Sequence, residues 1–211
     1  LTFQQMQTIT SAQMGAWGSD QVGALNSGYM GALTTSVIAT LTSAQLPGLT
    51  SAQIVALNLD QAGSLTSVQV PKLSTAQIST IEVGDFAKLS TQSIASLGTE
   101  QISAITTAQI AGLTLAQLAA IETQDVAKLT TAQIVALTAD QIGSVTTAQI
   151  QALSSDQIAA IETRDLIKLT SAQLIALTTD QISLLTTEQI SKLTNDQLSV
   201  LETTDVAKLT A

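Results

Sequence analysis

Apolar and polar residues follow one another in this chain on a fixed period of eight. Cutting the sequence every eight residues from Leu1 gives 26 octads and a three-residue remainder. The first position of every octad is apolar, from Leu1, Ile9 and Trp17 to Leu201, and so is the sixth, from Met6 to Val206. Position 2 is mostly Thr and position 5 is Gln in 19 of the 26, so the unit reads L-T-x-x-Q-I-x-x. No insertion or deletion breaks the frame. Loops tolerate insertions, so a strict frame predicts that every residue packs against a neighbouring repeat.

A straight strand has a side-chain period of two and cannot place positions 1 and 6 on one face. A bent β-solenoid coil could, and Thr, Ile and Val would suit it, but its corners would want the Gly and Asn that are sparse here. A helix explains more. Thr at position 2 followed by Gln at position 5 is a capping box, in which the Thr side chain accepts from the N3 backbone N–H and the Gln reaches back to the N-cap N–H. Position 6 and the next position 1 then lie three apart on one helix face. Each octad becomes a helix of one and a half to two turns, roughly 9 Å long, and such helices stand only when stacked on neighbours.

The charges point the same way. All 16 acidic residues fall at positions 2, 4 or 5, Asp20, Asp60, Asp140, Asp156, Asp180 and Asp196 among them, and all six lysines fall at position 8; Arg164 alone departs from this order. Carboxylates in a first turn and ammonium groups in a last turn complement a helix dipole, whereas a β coil gives no reason for the order. Two features strain the pattern. Pro47 and Pro71 sit at position 7, where a helix would lose a backbone bond. Glu at position 2 is a poor N-cap, so Thr123, Thr163 and Thr203 are expected to cap those octads instead. Both point to very short, partly 3₁₀ segments.

A second period overlies the first. Residues 81–88, 121–128, 161–168 and 201–208 read IEVGDFAK, IETQDVAK, IETRDLIK and LETTDVAK, one every five octads. Residues 81–211 therefore form a regular 40-residue array. Residues 1–80 are looser, with Trp17, Gly18, Asn26, Tyr29, Pro47 and Pro71 off consensus, and are expected to be a degenerate or capping end. Helical hairpins would turn over the charged octad at each recurrence, because five is odd; a coil of several short helices per turn would not. The expectation is an all-α solenoid, a polygonal coil with a 40-residue superperiod. If one turn holds five octads, the E-x-x-D octads form a ladder.

Composition adds exclusions. Apolar residues make up 45% but aromatics 2%, so the core is aliphatic; charged residues are only 11%, and Thr, Ser and Gln fill the surface. The net charge of −9 opposes phosphate backbones and anionic lipid. Without Cys or His the chain lacks thiolate chemistry and the commonest general base and metal ligand. No stretch approaches a membrane span of about 18 apolar residues. No signal peptide opens the sequence, which starts and stops in mid-pattern, as expected of a fragment of something longer.

Candidate chemistry is thin. Glu82 with Asp85, Glu122 with Asp125, Glu162 with Asp165 and Glu202 with Asp205 would make a row of hard oxygen ligands, for calcium if for any cation. The reading preferred is helix-start charge paired with position-8 lysines such as Lys128 and Lys168, and no calcium-loop motif is present. The Gln column, for example Gln133, Gln141, Gln149 and Gln157, could form a hydrogen-bonded ladder or a sugar-binding face, but capping-box duty accounts for it. The Thr and Ser columns could bind ice or glycan or accept O-glycans, yet caps need no such role. Trp17 and Tyr29 are read as core or cap. No catalytic set, phosphate loop or cofactor motif appears, and the chain is expected to be no enzyme.

Units such as LTTAQIVA at 129–136, LTSAQLIA at 169–176 and LTTDQISL at 177–184 resemble the short repeats of very large, adhesin-like secreted surface proteins of proteobacteria. The resemblance covers the whole chain and implies export, cell-surface attachment and a spacer or matrix role, with self-association or a glycan or surface partner. LTTAQIVAL is also similar to the opening of DNA-reading TAL-effector repeats, L-T-x-x-Q-V-V-A-I. Those repeats are about four times longer and carry a base-reading loop and a basic stripe that this chain lacks, so DNA binding is rejected. The function expected is a structural scaffold, a stiff stalk or self-associating fibre; the alternative is a binding module presenting a Thr/Gln face to glycan, ice or protein.

Overall fold

The computed structural model describes residues 1–201. Among these, every element is a helix of three to six residues and no strand occurs. Thr147–Ala152 shows how an octad folds. Thr146 sits in extended backbone (φ −69°, ψ 156°), its hydroxyl accepts from the Gln149 N–H at 3.2 Å, and Gln149 Oε1 accepts the Thr146 N–H at 2.9 Å. The helix ends at Leu153, which is extended again (φ −63°, ψ 141°). Two extended residues, positions 1 and 2, therefore link one helix to the next. No described residue has a positive φ, so the link asks nothing of glycine, and Leu, Ile and Thr fill it freely.

The proline octads are tighter. Leu46–Gly48 and Val70–Lys72 are 3₁₀ turns with Pro47 and Pro71 inside them, since proline has no N–H for the α-helical bond. In the E-x-x-D octads the helices shorten to four residues, Val83–Phe86, Thr123–Val126 and Thr163–Leu166. The expected cap shift does not occur. Glu82, Glu122 and Glu162 hold the N-cap position without a side-chain cap bond, and Thr123 and Thr163 are the first helical residues. Moving the cap by one residue would rotate the octad's apolar positions out of the core, and that costs more than a missing cap. Thr203 lies outside the described residues.

The chain divides into two compact units, Leu1–Leu113 and Thr114 onward. Within each unit a helix packs on the helix three octads further on, as Leu59–Gly63 does on Val83–Phe86, or Ala139–Ser144 on Thr163–Leu166. The pairing offset is constant along each unit, which is the signature of parallel stacking; antiparallel hairpins would give a constant sum of residue numbers instead. Positions 1 and 6 face inward. In the second unit Ile134, Ile142, Ile150 and Ile158 are at most 2% exposed. The void left among Leu118, Val126, Ile134 and Ile142 is about 10 Å³, room for one water at most, so the interior of the second unit is filled there.

Candidate functional site

The Gln column is the most elaborated polar feature of the molecule. Its oxygen does what a capping box requires. Its nitrogen reaches one coil back and donates to two backbone carbonyls. Gln61 Nε2 lies 2.8 Å from Met30 O and 2.7 Å from Leu33 O. Gln109 makes the same pair with Ile78 and Ile81 at 2.9 and 2.7 Å, and Gln181 with Ile150 and Leu153 at 2.9 and 2.7 Å. The acceptors lie 31 and 28 residues earlier, at position 6 and the next position 1, with a longer third contact 30 residues earlier in some, as from Gln181 to Gln151 O. One turn therefore takes between three and four octads, which overturns the expectation of five. From Gln45 onward these glutamines are buried, so they form no sugar-binding face. Nor do they pair with one another as a side-chain ladder; each fastens its octad to the backbone beneath it.

Where position 5 is not Gln the fastening changes. Ser93 keeps one bond, Oγ to Leu65 O at 2.9 Å. Aspartate keeps none of this kind. Asp85, Asp125 and Asp165 are 5%, 3% and 3% exposed, while their partners in the expected cation row, Glu82 and Glu122, are exposed and Glu162 is half-buried. One carboxylate of each pair thus faces out and the other in. Burial raises the pKa of Asp85 and Asp125, and the neighbouring Glu82 and Glu122 raise it further. Asp165 is also raised by burial, opposed by Arg164 and reinforced by Glu162. Asp125 Oδ1 is buried without a hydrogen-bond partner. Glu162 and Asp165 contact Arg164 at 2.6 and 3.6 Å rather than Lys168, the partner expected from the charge order.

A ladder of E-x-x-D octads is likewise not assembled. In the second unit Thr163–Leu166 packs on Ala139–Ser144 and Thr187–Lys192, not on Thr123–Val126, because a five-octad spacing is out of step with a turn of three to four. Among the described residues no group of three or more acidic side chains is placed to hold a metal ion. Glu202 and Asp205 lie outside the described residues. The first-turn order of the acids holds, as at Asp60, Asp140, Asp180 and Asp196. Lys72 and Lys192 occupy last turns, whereas Lys88 and Lys168 fall just past the shortened helices.

The position-2 hydroxyls are engaged as caps, and position-3 residues such as Thr131 and Thr147 are exposed. Trp17 is half-buried, and its carbonyl accepts from Gln45 Nε2 at 2.8 Å. Tyr29 meets the ring of Phe3 edge-on, with centroids 5.9 Å apart. These aromatics belong to the packing of the first coils and enclose no site.

No described helix is long and apolar enough to cross a membrane. A family model described as the ALTTAQ repeat matches residues 38–75, 78–115, 118–155 and 158–195. The four matches recur every 40 residues, and the first lies within the looser stretch. No curated protein matches the chain.

Proposed function

The chain belongs to the ALTTAQ repeat family, and from that premise we propose that it is a structural scaffold: a stiff stalk, or a segment of a self-associating fibre, in a large bacterial cell-surface or extracellular protein. The observation that carries this reading is where the polar groups go. Buried Gln nitrogens hold coil to coil, Gln oxygens and Thr hydroxyls cap helices, and the interior is filled with aliphatic side chains. Groups consumed in this way have nothing left for a substrate. We assign the chain no reaction and no cofactor. The bacterial surface comes from the resemblance of its octads to those of adhesin-like proteins.

Small-angle X-ray scattering of the 211-residue chain tests the stalk. A profile with a rod-like cross-section is expected; one fitted by a compact sphere sinks the reading. A second reading, a module that binds glycan, ice or protein, is favoured by the exposed position-3 hydroxyls alone. Glycan-array binding or thermal hysteresis that is lost in Thr131→Val with Thr147→Val would move the assignment there.

A further inference from the structure

Within each unit one aspartate stands where the chain elsewhere places its amide fastener, and a backbone carbonyl goes unmet because of it. The octads on either side of Asp85 fix the register. Gln77 Nε2 donates to Leu49 O and Ser93 Oγ to Leu65 O, each 28 residues earlier, at 2.7 and 2.9 Å. The same step from Asp85 leads to Leu57 (85 − 28). Just beyond Leu57 lies Leu59–Gly63, the helix on which Val83–Phe86 packs. In the second unit Gln157 and Gln173 donate to Leu129 O and Val145 O, which matches Asp165, midway between them, with Leu137. Leu57 and Leu137 are buried, and no described residue donates to the carbonyl of either.

A carboxylate has no hydrogen to give such a carbonyl, whereas a neutral carboxyl has one. Ser93 shows that an O–H on a side chain shorter than Gln reaches the position-1 carbonyl from this place. Asp85 is 5% exposed, and no described residue donates to its carboxylate. Glu82 and Lys88 of its own octad and Asp60 on the helix beneath are exposed, and Thr107–Gly112 on its other side carries no charge. Burial and Glu82 both favour the protonated form of Asp85. Asp165 has Arg164 at 3.6 Å, Glu162 and Lys168 in its own octad, and exposed Asp140, Glu188 and Lys192 on the helices packed against it.

We infer that these two octads are proton-operated clasps: a proton taken up from solvent converts the Asp85 carboxylate into a carboxyl whose O–H donates to Leu57 O, and Asp165 does the same to Leu137 O, so that coil is fastened to coil in acid and released at these joints towards neutral pH. Arg164 favours the charged form and so lowers the pH at which the second clasp closes. The device goes beyond the scaffold reading and operates alike in a stalk, a fibre or a binding module.

The test is amide hydrogen exchange of the full chain at pH 3 and pH 7, read as protection factors so that the intrinsic pH dependence of exchange divides out, beside Asp85→Gln and Asp85→Val. Glutamine is what most octads carry at this position, so the first variant restores the amide fastener; valine is close to aspartate in shape, and removes the charge without supplying a donor. In the parent, residues 53–60 and 81–88 should gain about tenfold in protection at pH 3, the equivalent of one pKa unit. Asp85→Gln should hold that acid level at both pH values, and Asp85→Val should stay below it at both. A parent whose protection in these octads is the same at the two pH values overturns the clasp. So does a pH response that persists there in Asp85→Gln, which places it at another group. Protection in Asp85→Val equal to that in Asp85→Gln also overturns it, and leaves burial of charge as the whole of the effect.

Discussion

At the scale of single residues, the two halves of one amide do different work. The oxygen of Gln149 belongs to its own helix and the nitrogen to the coil beneath, 3.0 and 2.8 Å from Leu118 O and Ile121 O. Gln149→Leu would strand the buried Ile121 carbonyl, at about 1–3 kcal/mol, and would also remove a second bond to Leu118 O and the cap on the Thr146 N–H. Thr146→Ala removes one cap, about 1 kcal/mol. Urea denaturation should therefore rank Gln149→Leu clearly below Thr146→Ala. The capping half of this arrangement was legible, because Thr and Gln stand three residues apart. The other half was not: its acceptors are backbone carbonyls 28 and 31 residues away, and carbonyls carry no sequence mark. The aspartates at the same position read as helix-start charge paired with lysines, because nothing in the sequence marks them as buried. Their raised pKa values mean that folding favours the protonated form. The stability they contribute is fully present below the ordinary aspartate value of 3.8 and is lost as pH rises through the raised one. Asp125→Asn replaces the charge with an isosteric amide. It should raise stability at pH 7 by about 1 kcal/mol and flatten the stability profile between pH 4 and 7, which urea midpoints at the two pH values would report.

At the scale of elements, the octad works because its link is extended rather than turned back. Glycine is consequently free to mark something else, the places where coils pinch. A Cβ on Gly48 would stand 2.6 Å from Ser19 O, and one on Gly143 3.1 Å from Lys168 O, while one on Gly15 would meet nothing. Gly48→Ala should cost about 1–3 kcal/mol by overpacking. Gly15→Ala should be neutral or stabilising by up to about 1 kcal/mol, since the helix interior prefers alanine. Melting temperatures that move in the same direction for both would contradict this geometry. Helix type and the 3₁₀ character of the proline octads were readable from the Thr-Gln spacing and from Pro47 and Pro71. The number of octads per turn was not. The 40-residue recurrence is a period of chemistry, and the turn is a period of backbone geometry; nothing obliges the two to agree.

At the scale of the whole molecule, the glutamine hydrogen bonds that join coil to coil within a unit span 28 to 31 residues. Repeats that touch only near neighbours behave as a one-dimensional chain of local stabilities. Gln53→Leu should then accelerate amide exchange in the octads it fastens, residues 17–32 and 49–56, and leave the protection of residues 145–200 unchanged. Exchange that rises throughout the molecule would mean the units unfold as one. Such locality also explains why the fold could be argued from eight residues at a time.

The unequal periods bear on how the molecule would fail under load. Each aspartate octad is a joint without its amide fastener. Were the recurrence equal to one turn, these joints would lie above one another and form a seam that could tear along its length. Because five octads overshoot a turn of three to four, the joints are staggered, as the vertical gaps are in a course of brickwork, and a break that opens at Asp165 meets the Gln141 octad beneath it and the Gln189 octad above it.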